Sequence, residues 1–166
     1  MTGDRVTTEL VFRFKDGSIH EETSVFSRHS TFRLLTYHLV QKGPAFKRST
    51  DLTLNSSTGQ VIVRYDDDGK AKMLTDQLKL PEDVANGIVT TLMNEIITKT
   101  PKTIVSMVAS APKPRLVKLA ISPEGDDSFS IGGIVRKATR YVIKVEIGGD
   151  VIGQRQFIHE PFGVAA

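Results

Sequence analysis

The sequence contains no cysteine among its 166 residues. This absence excludes disulfides, thiolate metal sites, iron–sulfur clusters and a cysteine nucleophile. No apolar run approaches the roughly 18 residues that a membrane-spanning helix requires, so we expect no such helix. The N-terminal segment Met1–Leu10 is polar, and we therefore expect no signal peptide in this chain.

The excess of positive charge is small. Lysine and arginine total 22 and aspartate and glutamate total 19, which gives a net charge of +3. That value does not by itself indicate a protein that binds nucleic acid. Apolar residues make up 39% and charged residues 25% of the chain, proportions typical of a folded globular protein. A chain of this length buries enough surface to fold without crosslinks, and we predict a single domain over residues 1–166.

Most of the sequence alternates between apolar and polar residues with a period of two, which is the pattern of β-strands. The alternation is clearest in Ile134–Ile147, where Tyr141, Ile143, Val145 and Ile147 share one face. Residues 31–41 are apolar on both faces, which indicates a central strand covered on both sides. Asp16-Gly17 predicts a tight hairpin turn. The predicted strands are residues 10–15, 18–27, 31–41, 51–55, 60–65, 70–78, 103–110, 115–122, 134–147 and 151–158.

The period changes after residue 80. Pro81, followed by two acidic residues, is typical of the first turn of a helix. Two apolar series with a spacing of four residues then begin at Val84 and Ala85. They cover an arc of about 220° on a helical wheel, wider than a surface helix needs. We therefore predict one helix over Glu82–Thr98 that the sheet encloses.

These patterns predict an α+β fold. A mainly antiparallel, curved sheet of about nine strands would wrap around the one long helix as a half-open barrel. Residues 150–166 are predicted as a last strand followed by a loose tail. The concave face of such a sheet forms an apolar pocket. The pattern leaves open whether that face carries Leu34 and Val40 or Leu35 and Tyr37. The predicted ligand-binding residues lie on the strand over residues 31–41 and on the helix: Phe32, Leu34, Leu35, Tyr37, His38, Val40, Asn86, Leu92 and Glu95.

No residue pattern indicates catalysis, a metal or a cofactor. The four histidines lack the spacing of zinc ligands. Asp66–Gly69 lacks the rest of a calcium-binding loop and is predicted as a hairpin turn. Neither the glycine motif of a dinucleotide site nor a G-x-S-x-G motif is present. We therefore predict no catalytic residue, no metal ligand and no cofactor.

A basic cluster occupies the second half of the chain. It is explained most simply by an exposed sheet face, and the alternatives are contact with an anionic membrane surface or with a protein partner. Binding of nucleic acid is not expected, because exposed aromatic residues do not alternate with the basic ones. The cluster consists of Lys113, Arg115, Lys118, Arg136, Lys137, Arg140 and Lys144.

Four segments resemble a family of uncharacterised, often exported bacterial proteins. They are Phe32–Phe46 (FRLLTYHLVQKGPAF), Leu80–Glu95 (LPEDVANGIVTTLMNE), Pro114–Lys118 and Arg136–Val145. The family is similar to lipoprotein-carrier-like folds. The resemblance implies a curved antiparallel sheet around a helix, a hydrophobic cavity and an exported, periplasmic location. It leaves the activity open.

The leading functional hypothesis is non-catalytic binding of a hydrophobic or amphipathic, lipid-like molecule between the sheet and the helix. Two alternatives remain open. The first is a small enzyme that uses the same cavity, with His38 or Glu95 as the acid or base. The second is an interaction domain whose core is filled. Fold alone does not choose among the three, because one scaffold can host all of them.

Overall fold

The computed structural model describes residues 4–27, 33–87, 102–110, 113–147 and 150–159. Every regular element within these ranges is a β-strand, and none of their residues lies in a helix. The strands form two sheets, one of six strands and one of four. The ten strands are β1 (Arg5–Arg13), β2 (Ile19–Ser27), β3 (Arg33–Lys42), β4 (Thr50–Asn55), β5 (Gln60–Asp67), β6 (Lys70–Gln77), β7 (Thr103–Ala109), β8 (Arg115–Ile131), β9 (Ile134–Ile147) and β10 (Asp150–His159).

The first sheet is an antiparallel meander in the order β1-β2-β3-β4-β5-β6. Short turns connect β1 to β2 at Asp16-Gly17 and β5 to β6 at Asp68-Gly69, where the sequence predicts turns, although Asp66 and Asp67 of the predicted turn belong to β5. In the second of these turns Asp68 and Gly69 both have positive φ, 54° and 75°. This is the geometry that matches the right-handed twist of two adjacent strands. The Asp66 carboxylate accepts a hydrogen bond of 2.8 Å from the Gly69 amide, which stabilises the turn.

One face of the first sheet forms the core of this part of the chain. Tyr37, Leu54 and Val61 are register partners across β3, β4 and β5, and all three are buried. Thr36 and His38, their neighbours on the opposite face, are exposed. The prediction that residues 31–41 are covered on both sides is therefore wrong. The large side chains buried on the inner face are Phe26, Leu34, Tyr37, Leu52, Leu54, Val61 and Val63.

The predicted fold class, an α+β sheet wrapped around one long helix, is also wrong. Residues 82–87, which should begin the helix, form turns and, at Val84, a single β-bridge, and the rest of that segment lies outside the described residues. Val84 and Ala85 are buried, as their apolar spacing predicts, but without helical structure. The described part of the chain is all-β, with two antiparallel sheets.

Two contacts explain why residues 82–87 do not begin a helix. The Asn86 side chain donates a hydrogen bond of 2.9 Å to the Val108 carbonyl and accepts one of 2.8 Å from the Val108 amide. The Asn86 side-chain amide thus bonds to the backbone of β7 at Val108, as the backbone of a neighbouring strand would. Gly87 has φ +69°, and a Cβ at this position would overlap the Ser24 hydroxyl. A right-handed helix through Asn86 and Gly87 would require a negative φ at Gly87 and would break the two hydrogen bonds between Asn86 and Val108.

The second sheet has the order β10-β9-β8-β7, and β9 is antiparallel to both of its neighbours. The predicted limits of β9 are confirmed, and so is the prediction of a last strand near 151–158. Residues 160–166, the predicted tail, lie outside the described residues. β8 is longer than predicted: it passes Ser122 and continues to Ile131. Its pairing with β9 shifts register between Pro123 and Gly125, where Glu124 forms a bulge.

The described residues divide into two compact units. The first contains β1 to β6 and residues 107–110 and 113–116. The second contains residues 102–106, β8 from Val117 onward, β9 and β10. The single domain over residues 1–166 stays a prediction.

We predict that Asn86→Ala destabilises the protein by about 2–4 kcal/mol, because it leaves the buried amide and carbonyl of Val108 without partners. A chemical denaturation curve of each protein measures this cost. Glu82→Ala is the matched control in the same segment. Its side chain is exposed, and its removal should change the free energy of unfolding by no more than about 0.5 kcal/mol. Equal stabilities for the two variants would contradict the role assigned to Asn86.

Candidate functional site

The exposed face of the first sheet, opposite its core, carries a depression of about 450 Å³ across β3 to β6. We call it the outer depression. Its volume lies in the range of small-molecule sites, and its walls are mostly apolar. The residues that line it are Val40, Gln41, Lys42, Ser49, Thr50, Asp51, Arg64, Tyr65, Asp66, Ala71, Lys72 and Met73.

The strand register places four of these residues in one row. Val40 pairs with Asp51, Asp51 with Arg64, and Arg64 with Met73. Partners directly opposite in a sheet project to the same face, with Cβ atoms about 5 Å apart. The row therefore presents an acidic and a basic side chain between two apolar ones. Such an order suits a molecule that has both an apolar part and a charged part.

The Asp51 carboxylate stands between two cationic or potentially cationic groups. Its Oδ1 atom lies 3.4 Å from His38 Nε2 and 3.8 Å from Arg64 Nη1. The same oxygen is buried and has no hydrogen bond within the described residues. The three side chains are about half exposed, so water screens these attractions. Asp51 thus keeps Arg64 and His38 side by side and leaves most of the guanidinium donors of Arg64 available.

Lys72, Asp67 and Tyr65 occupy strand positions that alternate with Arg64 and Met73, so their side chains project to the face opposite the outer depression. Lys72 Nζ donates a hydrogen bond to Asp67, which lowers the pKa of Asp67 and raises the pKa of Lys72. The Arg48 guanidinium lies 4.5 Å from the centre of the Tyr65 ring, a cation–π contact. Lys42, in contrast, is exposed and has no ion-pair partner within the described ranges. Lys42 and Arg64 are therefore the cations best placed to bind an added anion.

The predicted ligand-binding residues do not converge on one cavity. Val40 lines the outer depression, and His38 contacts Asp51 at its edge. Leu34 and Tyr37 are buried on the opposite face of the sheet. Leu35 is half-buried at the bulge of β3, and Asn86 is fixed to Val108. Phe32, Leu92 and Glu95 lie outside the described residues, so their assignments stay predictions.

The sequence reasoning missed Asp51, Arg64 and Met73. A signal for them exists in the hairpin turns, because turn geometry fixes the register of two antiparallel strands. The turn at Asp68-Gly69 pairs Arg64 with Met73, and the turn over residues 56–59 pairs Asp51 with Arg64. The predicted turn over residues 56–59 gives the pair Asp51–Arg64. The predicted four-residue turn Asp66–Gly69 would instead pair Arg64 with Ala71, because the observed turn contains only Asp68 and Gly69.

Tyr37 contributes to the core and not to the outer depression. Burial raises the pKa of its hydroxyl, and the nearby Glu22 carboxylate raises it further. A tyrosine in this setting keeps its proton and acts as a hydrogen-bond donor. Ser24 on β2 is the register partner of Tyr37. The Ser24 hydroxyl and the Tyr37 ring pack directly against Gly87.

A second polar cluster, at the other end of the inner face, has its groups already paired. His20 Nε2 lies 2.5 Å from Glu22 Oε1, and His20 Nδ1 lies 2.9 Å from Gln41 Nε2. The rings of Phe12 and Phe46 lie 5.6 and 6.4 Å from the imidazole. Both ring nitrogens of His20 are thus occupied. Among the described residues no three histidine, aspartate or glutamate side chains are grouped as metal ligands would be.

We predict that Tyr37→Phe changes how stability depends on alkaline pH. The unfolded tyrosine loses its proton near pH 10, whereas the folded Tyr37 keeps it, because its pKa is raised. The stabilisation is therefore complete below about pH 10 and is lost as the pH rises further, at about 1.4 kcal/mol per pH unit. Denaturant melts between pH 8 and about 11.5 should show a slope shallower by this amount in Tyr37→Phe. Parallel curves would contradict the raised pKa.

No protein-family model matches this chain, and comparisons with curated proteins and with solved structures also find no match. The resemblance to lipoprotein-carrier-like proteins and the exported location that it implies therefore stay predictions. Within the described ranges, no helix has the length and apolar character needed to cross a membrane.

Proposed function

We propose that the protein binds a small amphipathic molecule with an anionic group in the outer depression, without a chemical reaction. The observation that carries this proposal is the row Val40, Asp51, Arg64 and Met73 along a mostly apolar depression of about 450 Å³. The proposal keeps the ligand class expected from the sequence. It replaces the expected place of binding, because the enclosed helix is not part of the described fold.

The apolar part of the ligand would lie against Met73, Val40 and Ala71. Met73 is one of the most exposed large apolar side chains of the described residues. Covering it removes apolar surface from water, which favours binding by about 25 cal/mol for each Å². Methionine also adapts its shape to different apolar partners. This wall therefore supports binding of an alkyl or ring-containing body without strict shape selection.

The anionic group would be bound by Arg64 and Lys42. Arginine presents planar donors that match the two oxygens of a carboxylate or phosphate. Asp51 approaches only one side of Arg64, at 3.8 Å, and forms no hydrogen bond with it. Asp66, the other acidic residue of the lining, already accepts a hydrogen bond from Gly69. These contacts favour an anionic ligand over a cationic one.

A second candidate function is a small enzyme in which His38 acts as a general base. The observation in its favour is the distance of 3.4 Å from His38 Nε2 to Asp51 Oδ1, since a carboxylate can orient an imidazole. His38 and Asp51 are each more than 40% exposed, so water reaches both groups. The Ser49 and Thr50 hydroxyls and the Asp66 carboxylate also line the outer depression, but within the described residues none of them is hydrogen-bonded to His38. Binding without reaction is therefore the leading proposal.

We predict saturable binding of dansyl-labelled undecanoic acid, a fluorescent amphipathic carboxylate. Arg64→Gln should raise the dissociation constant by about 10–150-fold, the effect of losing a charge-assisted hydrogen bond. Fluorescence titration measures it. Arg33→Gln is the matched control, since Arg33 also lies in the first sheet and its side chain is 53% exposed against 54% for Arg64. This control should bind like the unmodified protein.

The same titration separates the candidate functions. Absence of saturable binding in the unmodified protein, or an equal loss in Arg64→Gln and Arg33→Gln, would contradict the proposal. If p-nitrophenyl butyrate is hydrolysed and His38→Gln abolishes that hydrolysis, the enzyme is the better description. Under the leading proposal, His38→Gln leaves the background rate of ester hydrolysis unchanged.

A further inference from the structure

Strand β1 forms one edge of the first sheet, and within the described residues it pairs with β2 alone. The Phe14 amide donates to the Ser18 carbonyl, and the Phe14 carbonyl accepts from the Gly17 amide. In an antiparallel pair, the residues that bond to a given neighbouring strand alternate. Every second residue of β1, counted back from Phe14, therefore bonds to β2. The residues between them direct their amides and carbonyls to the outer edge: Arg5, Thr7, Glu9, Val11 and Arg13.

The edge at β1 lacks the features that usually protect a sheet edge, which are a short or bulged strand, a proline, or charged side chains on the core face. β1 has nine residues, no proline and no register shift in its pairing with β2. Its three charged residues, Arg5, Glu9 and Arg13, all lie on the face opposite the core. β6, at the other edge of the sheet, instead directs Lys70 and Lys72 to the core face. β1 is therefore the edge that is better suited to accept a further strand.

The core face of β1 carries aromatic side chains that are only partly covered. Phe12 is 49% exposed and Phe14 is 43% exposed. The Phe12 ring contacts His20 edge to face, and the Phe14 ring contacts Phe46 in the same way, both at 5.6 Å. A strand added to β1 would therefore cover apolar surface in addition to bonding the main-chain groups.

The charges of β1 identify a second copy of β1 as the strand that fits this edge. An antiparallel copy pairs the outward-pointing residues of one strand with those of the other. With Val11 opposite Val11 of the second copy, Glu9 of each copy faces Arg13 of the other, and opposite charges in such pairs are favourable. With Glu9 opposite Glu9, like charges would meet. Glu9 and Arg13 are exposed and have no ion-pair partner in the part of the chain that the structure describes.

The register centred on Val11 also pairs the apolar residues of the core face. Leu10 of each copy lies opposite Phe12 of the other, in a pair without main-chain hydrogen bonds, where side chains approach each other most closely. A register centred on Thr7 would pair Arg5 with Glu9. It would leave Phe12 beyond the end of β1 in the second copy. The first register therefore satisfies both the charges and the exposed aromatic ring.

We propose that the chain forms a symmetric dimer in which β1 pairs antiparallel with β1 of a second copy, centred on Val11. The two six-stranded sheets then continue as one sheet. Each copy uses its β1 edge once, so the association closes as a pair. A contact along one strand is smaller than the roughly 800 Å² on each partner of a stable interface, and the dissociation constant should therefore be micromolar. The dimer leaves the outer depression, on β3 to β6, uncovered.

Reciprocal charge reversal tests this dimer and its register. Glu9→Arg places like charges opposite each other at both ends of the interface, and Arg13→Glu does the same. Each variant alone should dimerise about 30-fold more weakly than the unmodified chain. An equimolar mixture of the two variants restores opposite charges at both ends and should dimerise about as well as the unmodified chain. Sedimentation velocity over a micromolar concentration series measures all four samples.

Arg5→Glu is the matched control. Arg5 is also an exposed arginine on the same face of β1, but in the proposed register it lies opposite Gly17 of the second copy, outside β1. This variant should dimerise like the unmodified chain. Val11→Pro tests the main-chain bonds, because it removes an outward-pointing amide at the centre of the interface and no bond to β2. It should abolish dimerisation and keep a cooperative thermal melt.

Three outcomes would overturn the proposal. The first is an unmodified chain that sediments as a monomer throughout the series. The second is a mixture of Glu9→Arg and Arg13→Glu that dimerises no better than either variant alone. The third is an equal loss in Arg5→Glu and Arg13→Glu.

The dimer and the binding of a ligand in the outer depression fail independently. Arg64→Gln, which should weaken binding of the dansyl carboxylate, should leave dimerisation unchanged. Val11→Pro changes no charge and lies outside the lining of the outer depression, so it should leave binding of the dansyl carboxylate unchanged.

Discussion

The register of the antiparallel meander β1 to β6 is the constraint on which the first sheet and its candidate site depend. A shift of one residue in any pair would turn every side chain of that strand to the other face. Leu54, now fully buried, would meet water, and Thr53 would enter the core. The buried row of Tyr37, Leu54 and Val61 therefore fixes which residues reach the outer face. The position of the outer depression therefore follows from the core, because Asp51 and Arg64 lie on the face opposite the buried residues.

Much of the strand content was predictable because period two is a local signal. The limits of Ile134–Ile147 follow from alternation, and the positions of the turns at Asp16-Gly17 and Asp68-Gly69 follow from their residue types. Both residues have positive φ only at Asp68-Gly69, whereas at Asp16-Gly17 Gly17 alone does. The helix prediction fails at residues 82–87, its described part, for a non-local reason. Val84 and Ala85 are apolar because they are buried, and a period of four cannot distinguish helical burial from burial in a turn. The deciding contact, from Asn86 to Val108, joins residues 22 positions apart.

The candidate site was only partly predictable. Val40 and His38 belonged to the predicted set, and both lie at or beside the outer depression. Their partners Asp51 and Arg64 belong to strands that the sequence reasoning treated one at a time. A polar residue on an exposed strand face is common and carries no signal by itself. Only the pairing of β4 with β5 makes these two residues neighbours, so the information lay in the turn between them and not in either residue.

The outer depression combines two properties that favour an amphipathic anion. Met73 exposes a large apolar side chain, and exposed apolar surface is unfavourable in water. Lys42 is exposed, and the carboxylate nearest to Arg64, that of Asp51, lies 3.8 Å away. A molecule with an apolar body and an anionic group would cover the first and bind the second. The volume of about 450 Å³ is that of a single small molecule, so the depression favours one dissolved amphiphile.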